Sequence, residues 1–141
     1  MEFECSSKDY IDPVTNKKCT VFRPYIKVYL VKRGIKAWPI SCLLDSGTDI
    51  TLLPSSLSYY FKIDLSKFSV KEIEAVGGKL VPAYELNYEN HGISFSVPGL
   101  SPVYHKIIFC DTEQTPLLGR NFFEHFEINF KKGGKNFEIN E

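Results

Sequence analysis

Three things are missing from this sequence, and each removes a class of function. No window approaches the roughly 18 consecutive apolar residues of a membrane span, so no membrane partner is expected. Neither charge is in excess: Lys plus Arg and Asp plus Glu each number 17, for a formal net charge of zero. A balanced surface gives no electrostatic case for nucleic acid as a partner. The nearest thing to a basic cluster, Lys131 and Lys132 with Lys135, surrounds Gly133-Gly134 and reads as a solvated turn. Tight cysteine and histidine pairs are also lacking. Cys5, Cys19, Cys42 and Cys110 form no Cys-x-x-Cys motif, so no zinc site is expected from them with His91, His105 or His125. A Cys5–Cys19 bridge stays open, but a reducing compartment argues against it. The acidic start Met1-Glu2-Phe3-Glu4-Cys5 has no apolar stretch and does not read as a secretory signal. A cytoplasmic chain, or a domain of a larger protein, fits these absences.

What is present is apolar, aromatic and turn-rich. The 141 residues suit one domain, and the 43% hydrophobic content, with 11 Phe and 8 Tyr, is enough to build a core. The periodicity is that of strands. Strands are expected at 22–31, 37–44 and 50–53, the last stopped by Pro54, and one helical turn fits within 55–65. Further strands are expected at 68–75 and 79–88, flanking Val76-Gly77-Gly78, then at 93–97 and 103–110. Asn121 is placed to cap a short helix whose Phe122, Phe123 and Phe126 face the core. Strands at 127–131 and 136–140 follow, turning through Gly133-Gly134. This pattern predicts an all-β, closed-barrel-like domain with one short C-terminal helix. Residues 1–20 are polar and read as an irregular arm, with the domain at 21–141. His91, His105 and His125 read as incidental, His91 and His125 being exposed, and Trp38 reads as packing.

Two leucines lead a strand into Asp45, so its carboxylate emerges from the end of a buried element. Ser46 and Thr48 add hydroxyls, and Gly47 allows close approach to the backbone. Alone, Asp-Ser-Gly is common in turns and says little. Its weight comes from company. Leu43-Leu44-Asp45-Ser46-Gly47-Thr48-Asp49-Ile50-Thr51 is followed by the Val76-Gly77-Gly78 turn, and then by Pro116-Leu117-Leu118-Gly119-Arg120-Asn121-Phe122-Phe123.

These three motifs, in this order, resemble the retropepsin family of retroviral-type aspartic proteases and their cellular relatives, over roughly residues 23–131. The resemblance implies an all-β acid-protease fold and an aspartic endopeptidase activity without metal or other cofactor. It implies that Asp45 is catalytic and that Ser46, Gly47 and Thr48 support the active-site loop. Val76, Gly77 and Gly78 would form a flap over bound peptide, and Leu118 and Gly119 would brace the loop from below. Asp49 and Arg120 would form a structural ion pair. The chemistry needs two carboxylates sharing a proton. The only other candidate segment, Asp111-Thr112-Glu113, lacks the glycine and its own Leu-Gly partner. A homodimer acting on a peptide or protein substrate is therefore the implied assembly.

Three features depart from the family pattern. The turn at 76–78 is poorer in glycine than many retroviral flaps. The chain continues past the helix through a second strand, so the dimer interface is expected to differ. Residues 1–20 have no counterpart, and an inert arm, a dimer strand and a self-cleaved leader all remain open. A catalytically silent module that kept the fold for dimerisation or peptide binding is the alternative function. Release from a larger polypeptide is a third reading.

Overall fold

The computed structural model of the chain describes residues 1–74, 78–111 and 115–141. Thirteen strands among these carry the architecture. Strands β4 (Tyr25–Lys32) and β5 (Trp38–Leu44) form an antiparallel hairpin whose register pairs Tyr25 with Leu43 and Leu30 with Trp38. Alternation is clear in β4, where Ile26, Val28 and Leu30 are buried and Lys27 and Val31 are exposed. After β6 (Thr51–Pro54) come α1 (Ser56–Tyr60) and a 3-10 turn at Leu65–Lys67. The hairpin of β7 (Val70–Glu74) and β8 (Leu80–Leu86) precedes α2 (Tyr88–His91), β9 (Ile93–Ser96) and β10 (Ile107–Cys110). Last come β11 (Leu117–Leu118), α3 (Arg120–Phe123), β12 (Glu127–Phe130) and β13 (Asn136–Asn140).

Eight strands make one sheet in the order β7-β8-β10-β6-β11-β5-β4-β9. Its strands feed a single core that includes Leu30, Leu53, Leu86, Phe95, Phe109, Leu118 and Phe122. The fold is all-β, as expected, with the sheet arranged round that core. The turn at α1 falls within the 55–65 segment where one was expected, and α2 is an additional turn that forms where the strand expected to reach 88 stops at Leu86. Gly92, at φ 64°, closes α2 in the left-handed conformation that a glycine C-cap supplies. Among the described residues no helix is long and apolar enough to cross a membrane.

The arm expected to be irregular is instead β-strand. Strand β1 (Glu2–Glu4) pairs with β13, placing Phe3 opposite Phe137 with their rings stacked at 5.3 Å. A three-stranded sheet β1-β13-β12 results, and Phe3 packs against the core. Strands β2 (Ser6–Ile11) and β3 (Lys18–Arg23) form a hairpin that, among the described residues, makes a two-stranded sheet of its own. The Asp12 carboxylate sets its turn by accepting the Val14 N–H at 2.8 Å and that of Thr15 at 3.3 Å. Every residue of β2 is exposed, which explains why it shows no alternation: with neither face buried, nothing selects a period.

A mutational contrast follows. Phe3→Ala should lower stability by about 1–3 kcal/mol in urea unfolding, because it removes a ring packed on Phe137. Tyr10→Ala, at a residue 48% exposed on β2, should stay within about 0.5 kcal/mol of the wild type. Equal losses at both sites would mean that the hairpin is packed into the core.

Candidate active site

Asp45 stands at the end of β5, half-buried, with both carboxylate oxygens engaged. Oδ1 accepts the Gly47 N–H at 2.9 Å, and Oδ2 accepts the Thr48 hydroxyl at 3.1 Å. A Cβ on Gly47 would lie 3.1 Å from Asp45 Oδ1, inside the space this turn uses. The main chain fixes the loop too: Asp45 N–H donates to Leu118 O at 3.0 Å, and Thr48 N–H donates to Asp45 O at 3.3 Å. Ser46 is exposed, and its hydroxyl has no hydrogen-bond partner among the described residues.

Strand β11 is wedged between the two strands that flank this loop. It runs parallel to β5, with Leu118 beside Leu44, and antiparallel to β6, with Leu117 beside Leu52. Gly119 then passes directly beneath the loop. Its φ of −83° suits any residue, so space and not conformation demands glycine. An added Cβ would sit 2.6 Å from Ile50 C and 2.8 Å from the carbonyl oxygens of Ile50 and Thr48. Two backbone bonds complete the brace, Arg120 N–H to Thr48 O at 2.7 Å and Asn121 N–H to Asp49 O at 3.1 Å.

No family model matches the chain, and no curated protein matches its sequence. Solved structures do match it in three dimensions. A retropepsin-like aspartic protease from Rickettsia conorii aligns with a TM-score of 0.61 at 15% identity, over 97% of this chain and 100% of that one. The EIAV protease, complexed with the inhibitor HBY-793, aligns with a TM-score of 0.51 at 20% identity, over 72% of this chain and 86% of that one. The fold is retropepsin-like.

Within this retropepsin-like fold, the Asp45–Thr48 loop and the Leu118-Gly119 segment come together. Val76 and Gly77 lie outside the described residues, as do Thr112 and Glu113. Gly78 follows β7 with φ 76°. The base of that hairpin is tied by Glu85, which meets Lys106 at 2.7 Å and Lys71 at 3.0 Å. Those two ammonium groups hold its carboxyl below the ordinary glutamate range. The expected Asp49–Arg120 ion pair does not form. Both residues are exposed, and the two segments are joined through their backbones instead.

Sequence reasoning missed the buried polar network behind the loop. Asn121 does not cap α3. Its Nδ2 donates to Lys106 O at 2.8 Å, which turns Oδ1 toward Thr51, where it accepts the N–H at 3.0 Å and the hydroxyl at 3.1 Å. With the Thr51 proton committed, its oxygen accepts from Gly119 N–H at 3.2 Å and from His105 Nε2 at 2.8 Å. His105 thus carries a proton on Nε2, while its buried Nδ1 has no hydrogen-bond partner among the described residues, which favours the neutral ring. The opposite tautomer would bury an unsatisfied donor, the costlier choice. His91, expected to be exposed, is buried; its Nε2 donates to His105 O at 2.8 Å and its Nδ1 accepts the Ile93 N–H at 2.9 Å. His125 is exposed, as expected. The one available signal was polarity within apolar segments: Thr51 lies in β6, and His105 stands two residues before β10, which begins at Ile107 and not at 103 as expected.

Two tests address this brace. Gly119→Ala should cost about 1–3 kcal/mol or more, since backbone must shift to admit the methyl group. An unchanged urea midpoint would show that the loop and β11 are not in the contact described. The second test uses acid. Burial, with smaller contributions from His125 and His91, pushes the His105 imidazole down to about 3. The unfolded chain thus takes up this proton first, near the ordinary histidine value of about 6.5. Stability is accordingly lost as pH falls from about 6.5 toward about 3, and this loss is complete below that. His105→Gln should be less stable than wild type by about 1–2 kcal/mol at neutral pH, having lost ring packing on Phe95 at 4.2 Å. Its deficit should narrow as pH drops to about 4, measured by urea unfolding across that range. A deficit independent of pH would remove the neutral-imidazole assignment.

Proposed function

We propose that the chain is an aspartic endopeptidase whose site is completed by two copies, each supplying Asp45. One observation carries this reading: a carboxylate held from both oxygens at a braced Asp-Ser-Gly turn, within a retropepsin-like fold. Two carboxylates about 3 Å apart cannot both ionise, so the pair retains one proton. The ionised member takes a proton from water as that water attacks the scissile carbonyl. The protonated member donates to the developing oxyanion. Collapse of the tetrahedral intermediate breaks the C–N bond as the amine leaving group is protonated. No covalent intermediate forms, and the mechanism calls on no metal or other cofactor.

Within each copy, Gly47 N–H and the Thr48 hydroxyl orient the carboxylate, and the Gly119 brace holds the loop against displacement. Ser46 is free to bond across the two-fold axis. The β7–β8 hairpin is suited to act as the flap: Leu80 lies two residues beyond Gly78 and is 58% exposed, presenting apolar surface to a bound chain. Substrate is then a peptide or protein segment held extended between hairpin and floor, with alternate side chains setting specificity. This reading keeps the cytoplasmic setting inferred from the sequence.

Asp45→Asn should lower cleavage of a fluorogenic peptide library by roughly 10²–10⁴-fold or more. Its far-UV circular dichroism and dimer content should be unchanged. Activity of the wild type should decline as rising pH ionises both members of the pair. Full cleavage by the variant would eliminate the mechanism. A wild type that dimerises and binds peptides without cutting them would identify a silent module.

A further inference from the structure

The exposed face of α3 carries charge that the chain leaves unpaired. Arg120 and Glu124 stand four residues apart, hence on one side of the helical turn. Both are exposed, and with Ser46 and Phe123 they line an open hollow of about 470 Å³ beside Asp45. Among the described residues neither takes part in an ion pair, whereas Glu85 and Glu138 are each bound by lysine. This face is not independent of the catalytic loop, because Arg120 N–H and Asn121 N–H are bonded to the carbonyls of Thr48 and Asp49.

We infer that this hollow receives the same face of a second copy, joined by reciprocal Arg120–Glu124 pairs across the two-fold axis. The inference rests on the protease reading. If two Asp45 carboxylates meet at about 3 Å, the axis passes beside Asp45, and surface bonded to its loop lies close to that axis. In an isologous contact each residue that meets another is met by it in return. A face with one cation and one anion four residues apart matches its own copy when the two short helices run antiparallel. Arg120 then falls on the partner's helix end bearing Glu124, and Glu124 falls on the end bearing Arg120. The register that sets arginine on arginine is repelled, so the two charges choose the register as well as the face. Phe123, half-buried between them, supplies the apolar centre.

Charge reversal on the full chain tests this by sedimentation velocity over a concentration series. Arg120→Glu and Glu124→Arg should each weaken self-association roughly 10- to 100-fold by setting like charges together twice. Circular dichroism and the urea midpoint serve as folding controls, since both side chains are exposed. An equimolar mixture of the two single variants should recover association as a heterodimer, and the double variant should recover it as a homodimer. Single variants that associate like wild type, or a mixture no better than either component, would overturn the inference. So would a wild type that stays monomeric at every concentration. Peptide cleavage read in parallel separates the two claims. Recovery of association without any cleavage, including in the wild type, leaves the interface standing and removes the protease. Cleavage by all single variants at wild-type dimer strength does the reverse.

Discussion

The arrangement of the site depends on one close approach, that of the Gly119 backbone to the backbone of Thr48–Ile50. Strand β11 has room for only two paired residues between β5 and β6, and the chain must then leave beneath the loop that joins those strands. A side chain at this exit would occupy the volume of the Ile50 carbonyl. Once it is absent, peptide groups interlock: Asp45 N–H reaches Leu118 O, and Arg120 N–H reaches Thr48 O. The position of the carboxylate is thereby set by residues more than 70 places along the chain. Such non-local closure is costly to form and slow, but it fixes an element more firmly than a local turn does.

The sequence was most legible where burial acts on one face at a time. The β4–β5 hairpin and the paired leucines of β5 and β11 show it, as do Phe122 and Phe126 under α3. It was least legible where backbone makes the contact. An Asp and an Arg at 49 and 120 suggest a side-chain pair, yet the link runs through main-chain N–H and carbonyl groups, which are common to all residues. Asn121 illustrates a different ambiguity. A side-chain amide at the start of a helix looks the same in sequence whether it caps its own helix or reaches across to Lys106 O. Strand β2 was hidden because both of its faces are exposed, whereas β3 half-buries Cys19, Val21 and Phe22 over a stretch too short to show a clear period.

Polar chemistry is divided sharply between the inside and outside of the loop. Behind it, Thr51, Asn121, His105 and His91 form a network in which every assigned proton is shared between neutral groups. Outside it, Arg120 and Glu124 are charged and exposed. The division has an electrostatic reason. A full charge in the low-dielectric interior acts on its surroundings far more strongly than one facing water. An imidazolium beneath the loop would favour the ionised form of any carboxylate above it. Burial that keeps His105 neutral removes that influence and still supplies a donor to Thr51.

Rigidity matters more at a site divided between two copies than at one built from a single chain. Under two-fold symmetry, a displacement of Asp45 toward or away from the axis is repeated in the partner, so the carboxylate separation changes by twice that displacement. Proton sharing persists only over a narrow range of separations, since wider spacing lets both groups ionise. A loop held by hydrogen bonds alone would drift with each side-chain rotamer beneath it. A loop seated on backbone at Gly119, with the neutral Thr51–Asn121–His105 network packed behind, has little freedom along that direction. In the proposed dimer, the glycine, the buried histidine and the exposed Arg120 and Glu124 would serve one geometric requirement: each chain must present its half of the site at a position the other can match.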